Sequence, residues 1–141
     1  MIIQQLSVFL ENKSGRLTEV LEALGHENIK INALSVADTS EFGILRLIVS
    51  DPERARILLR EKLFTVNITE VISIMAPNEA SHYARVLKIL SDQDISVEYT
   101  YAYSIGDKSI IILRCSNTAE AIRSLKEHEL DLLRASDLFK I

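Results

Sequence analysis

The sequence has no tryptophan, one cysteine, two prolines and four glycines among its 141 residues. A single cysteine, Cys115, cannot form a disulfide within the chain, and its place in a strand-like apolar run favours a buried, inert thiol. No apolar run is long enough to cross a membrane, and no secretory signal is evident. We therefore expect a cytoplasmic protein that does not contact a membrane.

Positive charge is also scarce, with 16 Lys and Arg against 20 Asp and Glu, a net charge of −4 and a pI near 5.4. This balance argues against nucleic acid as a partner. The three histidines lack the spacing of metal ligands, so no metal or cofactor is expected, although His82 stands beside a loop of interest below. The alternating Tyr99, Tyr101 and Tyr103 favour packing over base stacking.

What the sequence does contain is an internal repeat at an offset of 66 residues. Without a gap, the offset aligns identical residues mostly at apolar and turn positions: Ser7 with Ser73, Asn12 with Asn78, Leu24 with Leu90, Leu47 with Leu113 and Leu59 with Leu125. Because a shared fold demands matches at such positions, we predict a duplicated small domain, with boundaries at 1–67 and 68–141.

Each copy reads as strand, helix, two strands, helix and strand. Alternating apolar residues predict the strands, and the i, i+3, i+4, i+7 spacing of Leu17, Val20, Leu21 and Leu24 predicts the first helix. Capping residues at Ser50 or Asp51 and at Ser116 or Asn117 predict where the second helices begin. The fold class is therefore α+β, with two ferredoxin-like βαββαβ units built on antiparallel sheets.

The third strand of each copy predicts an apolar row on the face away from the helices. Ile44 and Ile48 in the first copy, and Ile110 and Ile112 in the second, are too apolar for simple exposure. We therefore expect a partner to cover them, with a second copy of the chain as the candidate. Between the copies, residues 64–76 form either one strand or two, and the last strand is expected near 131–141.

The stretch "ENKSGRL", residues 11–17, connects the first strand to the first helix. Such a turn exposes backbone N–H groups at a helix start, and these groups bind anions. Asn, Ser and Gly also suit a turn that binds nothing. The second copy differs here, because Ser81 replaces Gly15, Glu79 replaces Lys13 and Tyr83 replaces Leu17.

The run "LSVFLENKSGRLTEVLEALGHENIKINALSV" resembles the opening of an ACT domain, through Asn12, Gly15, Leu17 and "Ile31-Asn32". The second copy resembles the same element less closely, and together the copies cover essentially the whole chain. The resemblance implies a stand-alone tandem ACT protein without a fused catalytic domain, whose two units lie side by side. It also implies a regulatory sensor that is not an enzyme, forms a homodimer and acts on a regulated enzyme.

The family binds an amino acid or similar ligand where the first loop of one domain meets the second strand of the other. Carried onto this sequence, the resemblance implies a site drawn from both copies: Asn12, Lys13, Ser14, Gly15, Arg16, Leu17, Asn32, Asn78, Ser81 and Glu98. A carboxylate would lie on the loop amides, and Asn12 would accept from the ligand amine. The first copy is expected to hold the better site.

Two other functions stay open from the sequence. A protein–protein interaction module would need no ligand. An acylphosphatase-like hydrolase would use Arg16 to clamp an anion and Asn32 to orient a water, but "ENKSGRL" is less glycine-rich than that family's phosphate cradle.

Overall fold

The computed structural model describes residues 1–11, 14–38 and 42–140. The strands are β1 (Ile3–Glu11), β2 (Ile31–Asp38), β3 (Phe42–Val49), β4 (Thr65–Pro77), β5 (Val97–Ile105), β6 (Lys108–Cys115) and β7 (Asp131–Leu133). The helices are α1 (Arg16–His26), α2 (Pro52–Glu61), α3 (Ala80–Asp92), α4 (Thr118–Glu127) and α5 (Ala135–Leu138).

The chain divides into two compact units. The N-terminal unit is Gln4–Thr69, and the C-terminal unit is Glu70–Ile141 together with Met1–Ile3. In the N-terminal unit the strands lie in the order β2-β3-β1-β4, and in the C-terminal unit in the order β5-β6-β4, with β7 on the other side of β4. Both orders are that of a ferredoxin-like unit, so the predicted α+β class is confirmed.

Each unit has its own apolar core between its helices and its sheet. In the N-terminal unit Leu6, Val8, Leu45 and Leu47 from the strands pack with residues of α1 and α2. The C-terminal core repeats this with the equivalent residues: Ile72, Ile74, Ile111, Leu113, Val86, Leu90, Ala121 and Leu125. Leu17, predicted to join the first helix stripe, is partly exposed instead, because it lies in the first turn of α1 at the margin of the core.

At the starts of α2 and α4, a serine and the aspartate or asparagine that follows it each accept a hydrogen bond from a backbone N–H. Asp51 Oδ1 accepts from the backbone N–H of Arg54 at 3.2 Å, as the predicted N-cap. The neighbouring Ser50 Oγ accepts from the N–H of Lys30 at 2.9 Å, which ties β2 to the helix start. Asn117 and Ser116 make the equivalent bonds in the second copy.

The four main helices end in the same way. Each is followed by a residue of positive φ: Asn28, Leu63, Asp94 and Glu129. The next residue then donates its N–H to a carbonyl in the last turn, for example Phe64 to Leu59 at 3.0 Å. This is the Schellman arrangement, in which the apolar side chain after the turn also packs on the helix.

The segment between the copies is one continuous strand, β4, which settles the alternative left open by the sequence. Its first part supplies Val66 to the N-terminal core, and its later part supplies Ile72 and Ile74 to the C-terminal core. No turn is needed, because the strand that closes one unit opens the next.

The expectation that the isoleucine rows need an outside partner is wrong for most of their members. Ile48, Ile110 and Ile112 are fully buried within the chain itself, and Ile44 is half-buried. In the C-terminal unit, Tyr101 and Tyr103 pair across β5 and β6 with Ile112 and Ile110. Since cross-strand partners share a face, these half-buried tyrosines lie beside the isoleucines.

The last strand is shorter than expected. β7 ends at Leu133, and the chain then turns into α5 rather than continuing to residue 141. The N–H of Arg134 donates to Asp137 Oδ2 at 2.8 Å, which caps this short helix and ends the strand. The sequence also predicts a turn from Ser40 to Gly43 between the second and third strands. Ser40 and Glu41 lie outside the described residues, and Phe42 and Gly43 belong to β3.

Leu63 is a leucine in a position that favours glycine. Its φ is +68° and its side chain is 88% exposed, so left-handed strain is not offset by packing. Such a conformation costs an L residue about 1–2 kcal/mol. Glycine avoids this cost, but part of the gain is lost because glycine gives up more conformational freedom on folding. We expect Leu63→Gly to raise the free energy of unfolding by about 1 kcal/mol, measured by urea denaturation.

The matched control is Ile57→Gly in the same helix-and-turn segment. Ile57 is also exposed but lies inside α2, where glycine lowers helix stability by roughly 0.5–1 kcal/mol. Leu63→Gly should therefore raise the free energy of unfolding, and Ile57→Gly should lower it. A loss of stability in Leu63→Gly would refute the assignment of strain to this turn.

Candidate functional site

The first loop meets α1 through a glycine in the left-handed region. Gly15 is the N-cap of α1 with φ +89° and ψ −7°, and as a glycine it has no side chain to cap the helix. Within the part of the chain that the structure describes, a Cβ built on Gly15 would meet nothing within 4 Å apart from its chain neighbours. The exposed Ser14 precedes it and Leu17 follows in the first turn. An uncapped helix start leaves N–H groups for an anion.

Arg16, although part of this loop, is turned toward its own unit. Its guanidinium carbon lies 4.2 Å from the centre of the Phe64 ring, and Nη1 lies 2.9 Å from Glu19 Oε2. Only 21% of the side chain is exposed. This stacked, ion-paired position does not fit the clamp that an acylphosphatase-like reaction requires of Arg16. The contact with Phe64 was not foreseen, because the two residues are 48 positions apart in sequence.

The other candidates of the first copy are placed less completely. Asn12 and Lys13 lie outside the described residues. Asn32 is half-buried in β2, where the pairing with β3 shifts register between Ile31 and Ala33. A register shift of this kind re-aims the side chain of the residue within it.

The second loop has a different conformation from the first. α3 begins at Ala80, two positions earlier in the repeat than α1, so Ser81 is helical where Gly15 is left-handed. The N-cap is Glu79 in an extended conformation, again without a side-chain cap. Asn78 fastens this loop to the β5–β6 turn, since its N–H and its Nδ2 donate to the carbonyls of Asp107 and Gly106 at 3.0 and 3.3 Å.

Glu98, the counterpart of Asn32, already has a partner. Its Oε2 accepts from Arg114 Nε at 3.3 Å, while Arg114 Nη1 donates to the carbonyl of Glu70 at 2.8 Å. The pair holds the edge strand β5 to its neighbours and leaves Glu98 engaged with an arginine. The eight predicted residues that the structure describes therefore have different surroundings in the two copies.

Two other classes of site were searched for in the described ranges 1–11, 14–38 and 42–140. They contain no cluster of three or more His, Cys, Asp or Glu side chains suited to a metal ion. None of the helices found there is both long enough and apolar enough to cross a membrane.

Comparison with protein families matches residues 1–141 to the family described as the ACT domain pair. None of the curated proteins compared with the chain matches it. A crystal structure of a Bacteroides thetaiotaomicron protein is 48% identical, with a TM-score of 0.95 over 100% of this chain and 98% of that one.

Two more distant structures share the fold. The ligand-free regulatory subunit of aspartate kinase from Thermus thermophilus is 13% identical, with a TM-score of 0.67, and the match covers 89% of this chain and 93% of that one. Escherichia coli aspartokinase III, in complex with lysine and aspartate, is 17% identical with a TM-score of 0.55, over 90% of this chain and 30% of that one.

Cys115 is buried among the core residues of the C-terminal unit, and this burial raises the pKa of its thiol to about 11. At pH 8 the thiolate fraction is then about 10⁻³, against roughly one quarter for an ordinary thiol of pKa ~8.5. We expect alkylation by iodoacetamide at pH 8 to be at least about a hundredfold slower than for an exposed thiol, followed by mass spectrometry.

The control protein carries Cys115→Ser with Ala119→Cys, which moves the thiol to an exposed position of α4. Its alkylation should proceed at the rate of a free thiol. Equal rates for the two proteins would show that Cys115 is accessible, contrary to its burial.

Proposed function

The chain belongs to the ACT domain pair family, and we propose that it is a regulatory protein that binds an amino acid at its first loop. The observation that carries this proposal is the conformation of Gly15. It opens α1 in the left-handed region and has no side chain to cap the helix, and among the described residues nothing but its chain neighbours lies within 4 Å of a Cβ built on it.

This geometry suits a carboxylate. The N–H groups of the first turn of α1 have no acceptors within the helix, and the positive end of the helix dipole favours an anion. Arg16 does not compete for this position, because its guanidinium lies over Phe64. The carboxylate would therefore be held by backbone amides from Ser14 to Leu17, which recognise the group common to all amino acids.

We propose roles for three further polar residues of the first copy. Asn12 would accept from the ligand amine, Lys13 would add positive charge, and Asn32 would supply a further polar anchor. The second loop lacks the left-handed glycine, and its Asn78 is bonded to the β5–β6 turn. This difference supports unequal binding at the two loops.

The regulatory part of the proposal draws on the fold. Regulatory subunits of aspartate kinase share this architecture, and the Escherichia coli aspartokinase structure is a complex with lysine and aspartate. We propose that this chain likewise responds to an amino acid and acts on a partner enzyme. A response requires that the ligand favour one state of the chain over another.

The test is a thermal-shift and calorimetric screen with each of the twenty amino acids. A ligand at about one hundred times its dissociation constant stabilises the protein by roughly 2.7 kcal/mol. In Gly15→Val a branched residue at φ +89° both strains the loop and covers its open face, so we expect affinity to fall at least tenfold.

Gly106→Val is the matched control, because Gly106 also has a positive φ, +61°, and an added Cβ there would likewise meet nothing within 4 Å among the described residues beyond its neighbours. Both variants should lose similar stability, but Gly106→Val should keep the affinity of the first loop. No binding of any amino acid by the unmodified chain would leave the ligand-free interaction module as the function.

We also propose that the chain forms a homodimer, through a surface other than the isoleucine rows expected from the sequence. Since Ile48, Ile110 and Ile112 are buried, the exposed apolar side chains of β2 are better candidates: Leu34 is 46% and Val36 45% exposed. β2 lies at the end of the strand order, and an exposed apolar edge strand invites pairing. We propose that β2 of a second copy occupies this edge across a two-fold axis.

Leu34→Glu tests this surface by placing like charges opposite each other in the paired strands. Light scattering should show a dimer for the unmodified chain and a monomer for the variant. Leu63→Glu is the control, because it also replaces an exposed leucine and copies the residue at the equivalent position 129. A monomeric unmodified chain, or a dimer in Leu34→Glu, would exclude the β2 edge as the interface.

A further inference from the structure

The side chain of Arg16, the first residue of α1, is held from two sides within the N-terminal unit. Its guanidinium carbon lies 4.2 Å from the centre of the Phe64 ring, and its Nη1 donates to Glu19 Oε2 at 2.9 Å. Phe64 is itself fixed, because its ring is buried in the apolar core and its N–H donates to the carbonyl of Leu59 at 3.0 Å. The ring is therefore a rigid platform for the cation.

This position of Arg16 departs from what helix stability favours. The start of a helix carries the positive end of its dipole, where a cation is disfavoured. The side chain is also only 21% exposed, and its buried Nε–H has no acceptor among the described residues, which costs free energy. The contacts with Phe64 and Glu19 offset part of these costs. Positions that break such local rules are commonly functional, and the neighbouring residue here is Gly15.

Two short links connect the fixed cation to the backbone of Gly15. One is the peptide bond between Gly15 and Arg16. The other runs through Glu19, whose carboxylate accepts from Arg16 while its backbone N–H donates to the carbonyl of Gly15 at 3.0 Å. Glycine has no side chain with which to fix its own conformation. The direction of the N–H groups at the start of α1 therefore depends on where the Arg16 side chain is held.

The internal repeat supplies a comparison for this contact. In the C-terminal unit the three equivalent positions are occupied by other residues: His82, Arg85 and Leu130. Leucine has no ring face on which a cation could lie, histidine is shorter than arginine, and Arg85 reverses the charge of the carboxylate. The start of α3 differs as well, because Ser81 is helical where Gly15 is left-handed. Since serine also lacks the freedom of glycine, a test of the contact must leave Gly15 in place.

We propose that Arg16 is a positioning residue of the first-loop site, which acts through its contact with the Phe64 ring and does not itself contact the ligand. Held on the ring, the guanidinium fixes the start of α1, so the free N–H groups of the first turn keep one direction before a ligand arrives. A preorganised site loses less freedom on binding and therefore binds more tightly. The effect on affinity rests on the function proposed above, whereas the effect on the loop does not.

Phe64→Leu tests the contact in the full chain without a ligand. Leucine is the residue of the other copy, keeps an apolar side chain in the core and removes the ring face. The readouts are residual dipolar couplings and order parameters of the N–H bonds of residues 14–17, which report bond direction and mobility and do not respond to ring currents. We expect the couplings to change and the order parameters to fall from about 0.85 toward about 0.6.

A second variant approaches the same contact from its other side. Arg16→His, again the residue of the other copy, removes the guanidinium and leaves the core unchanged. It should alter the couplings of residues 14–17 in the same way. In the unmodified chain the Arg16 Hε resonance should show the upfield ring-current shift of a group stacked on an aromatic ring, and Phe64→Leu should abolish that shift.

Two control variants separate positioning from a general loss of stability. Phe64→Tyr keeps the ring face, and the open hollow of about 430 Å³ that Phe64 lines gives space for the hydroxyl. Val66→Ala removes core volume from the same unit but leaves the ring in place. Both controls should keep the couplings of residues 14–17, although Val66→Ala lowers the free energy of unfolding.

Affinity is measured by calorimetry with each of the twenty amino acids. For any that binds the unmodified chain, Phe64→Leu and Arg16→His should weaken binding at least about fivefold, and the two controls should keep it within about twofold. The proposal is overturned if residues 14–17 keep their couplings in Phe64→Leu and Arg16→His, if Val66→Ala changes them as much, or if Phe64→Leu binds as tightly as the unmodified chain. Absence of binding by every amino acid would refute the proposed function alone, since the couplings of the ligand-free variants decide the role of Arg16.

Discussion

The strand β4 is the element on which the rest of the structure depends, because it supplies side chains to two separate cores. Val66 belongs to the core of the N-terminal unit, and Ile72 and Ile74 belong to that of the C-terminal unit. The buried Val71 and Ser73 fall on the alternate positions. A strand that is buried on both faces shows no simple alternation of polar and apolar residues. Its register must satisfy both cores at once, since a slip of one residue would turn every side chain to the wrong face.

Most of the fold could be predicted from the sequence, for physical reasons that can be traced to particular residues. The helix starts could be predicted because capping is local: the side chains of Asp51 and Asn117 accept hydrogen bonds from backbone N–H groups three residues further along the chain. Core positions were visible because the repeat preserves them. The burial of Ile110 and Ile112 was missed, since a sequence shows which face a residue takes on a strand but not what covers that face. The continuity of β4 was left open for a related reason, because no turn residue marks either outcome.

The candidate site was less predictable, and the repeat shows why. Helix ends are nearly identical in the two copies, down to the positive φ of Asn28 and Asp94, because backbone geometry dictates them. The loops before α1 and α3 differ, because Ser14 and Gly15 precede α1 whereas the equivalent Ala80 and Ser81 are the first residues of α3. Arg16 illustrates the limit. Its place in a loop suggested an anion clamp, whereas its contact with Phe64 depends on the tertiary fold. Aligning the copies reveals the exchange of Glu19 for Arg85, which is a sequence signal for divergent sites.

The divergence has a thermodynamic consequence for a sensor. In the N-terminal unit the cation beside Phe64 is Arg16, which is tethered to the chain, so its effective concentration at that position is high and does not vary with the surroundings. A ligand that comes from solution occupies its site according to the ratio of its free concentration to its dissociation constant, and any stability it adds follows the same ratio. Such a ligand shifts the chain only as far as its affinities for the alternative states differ.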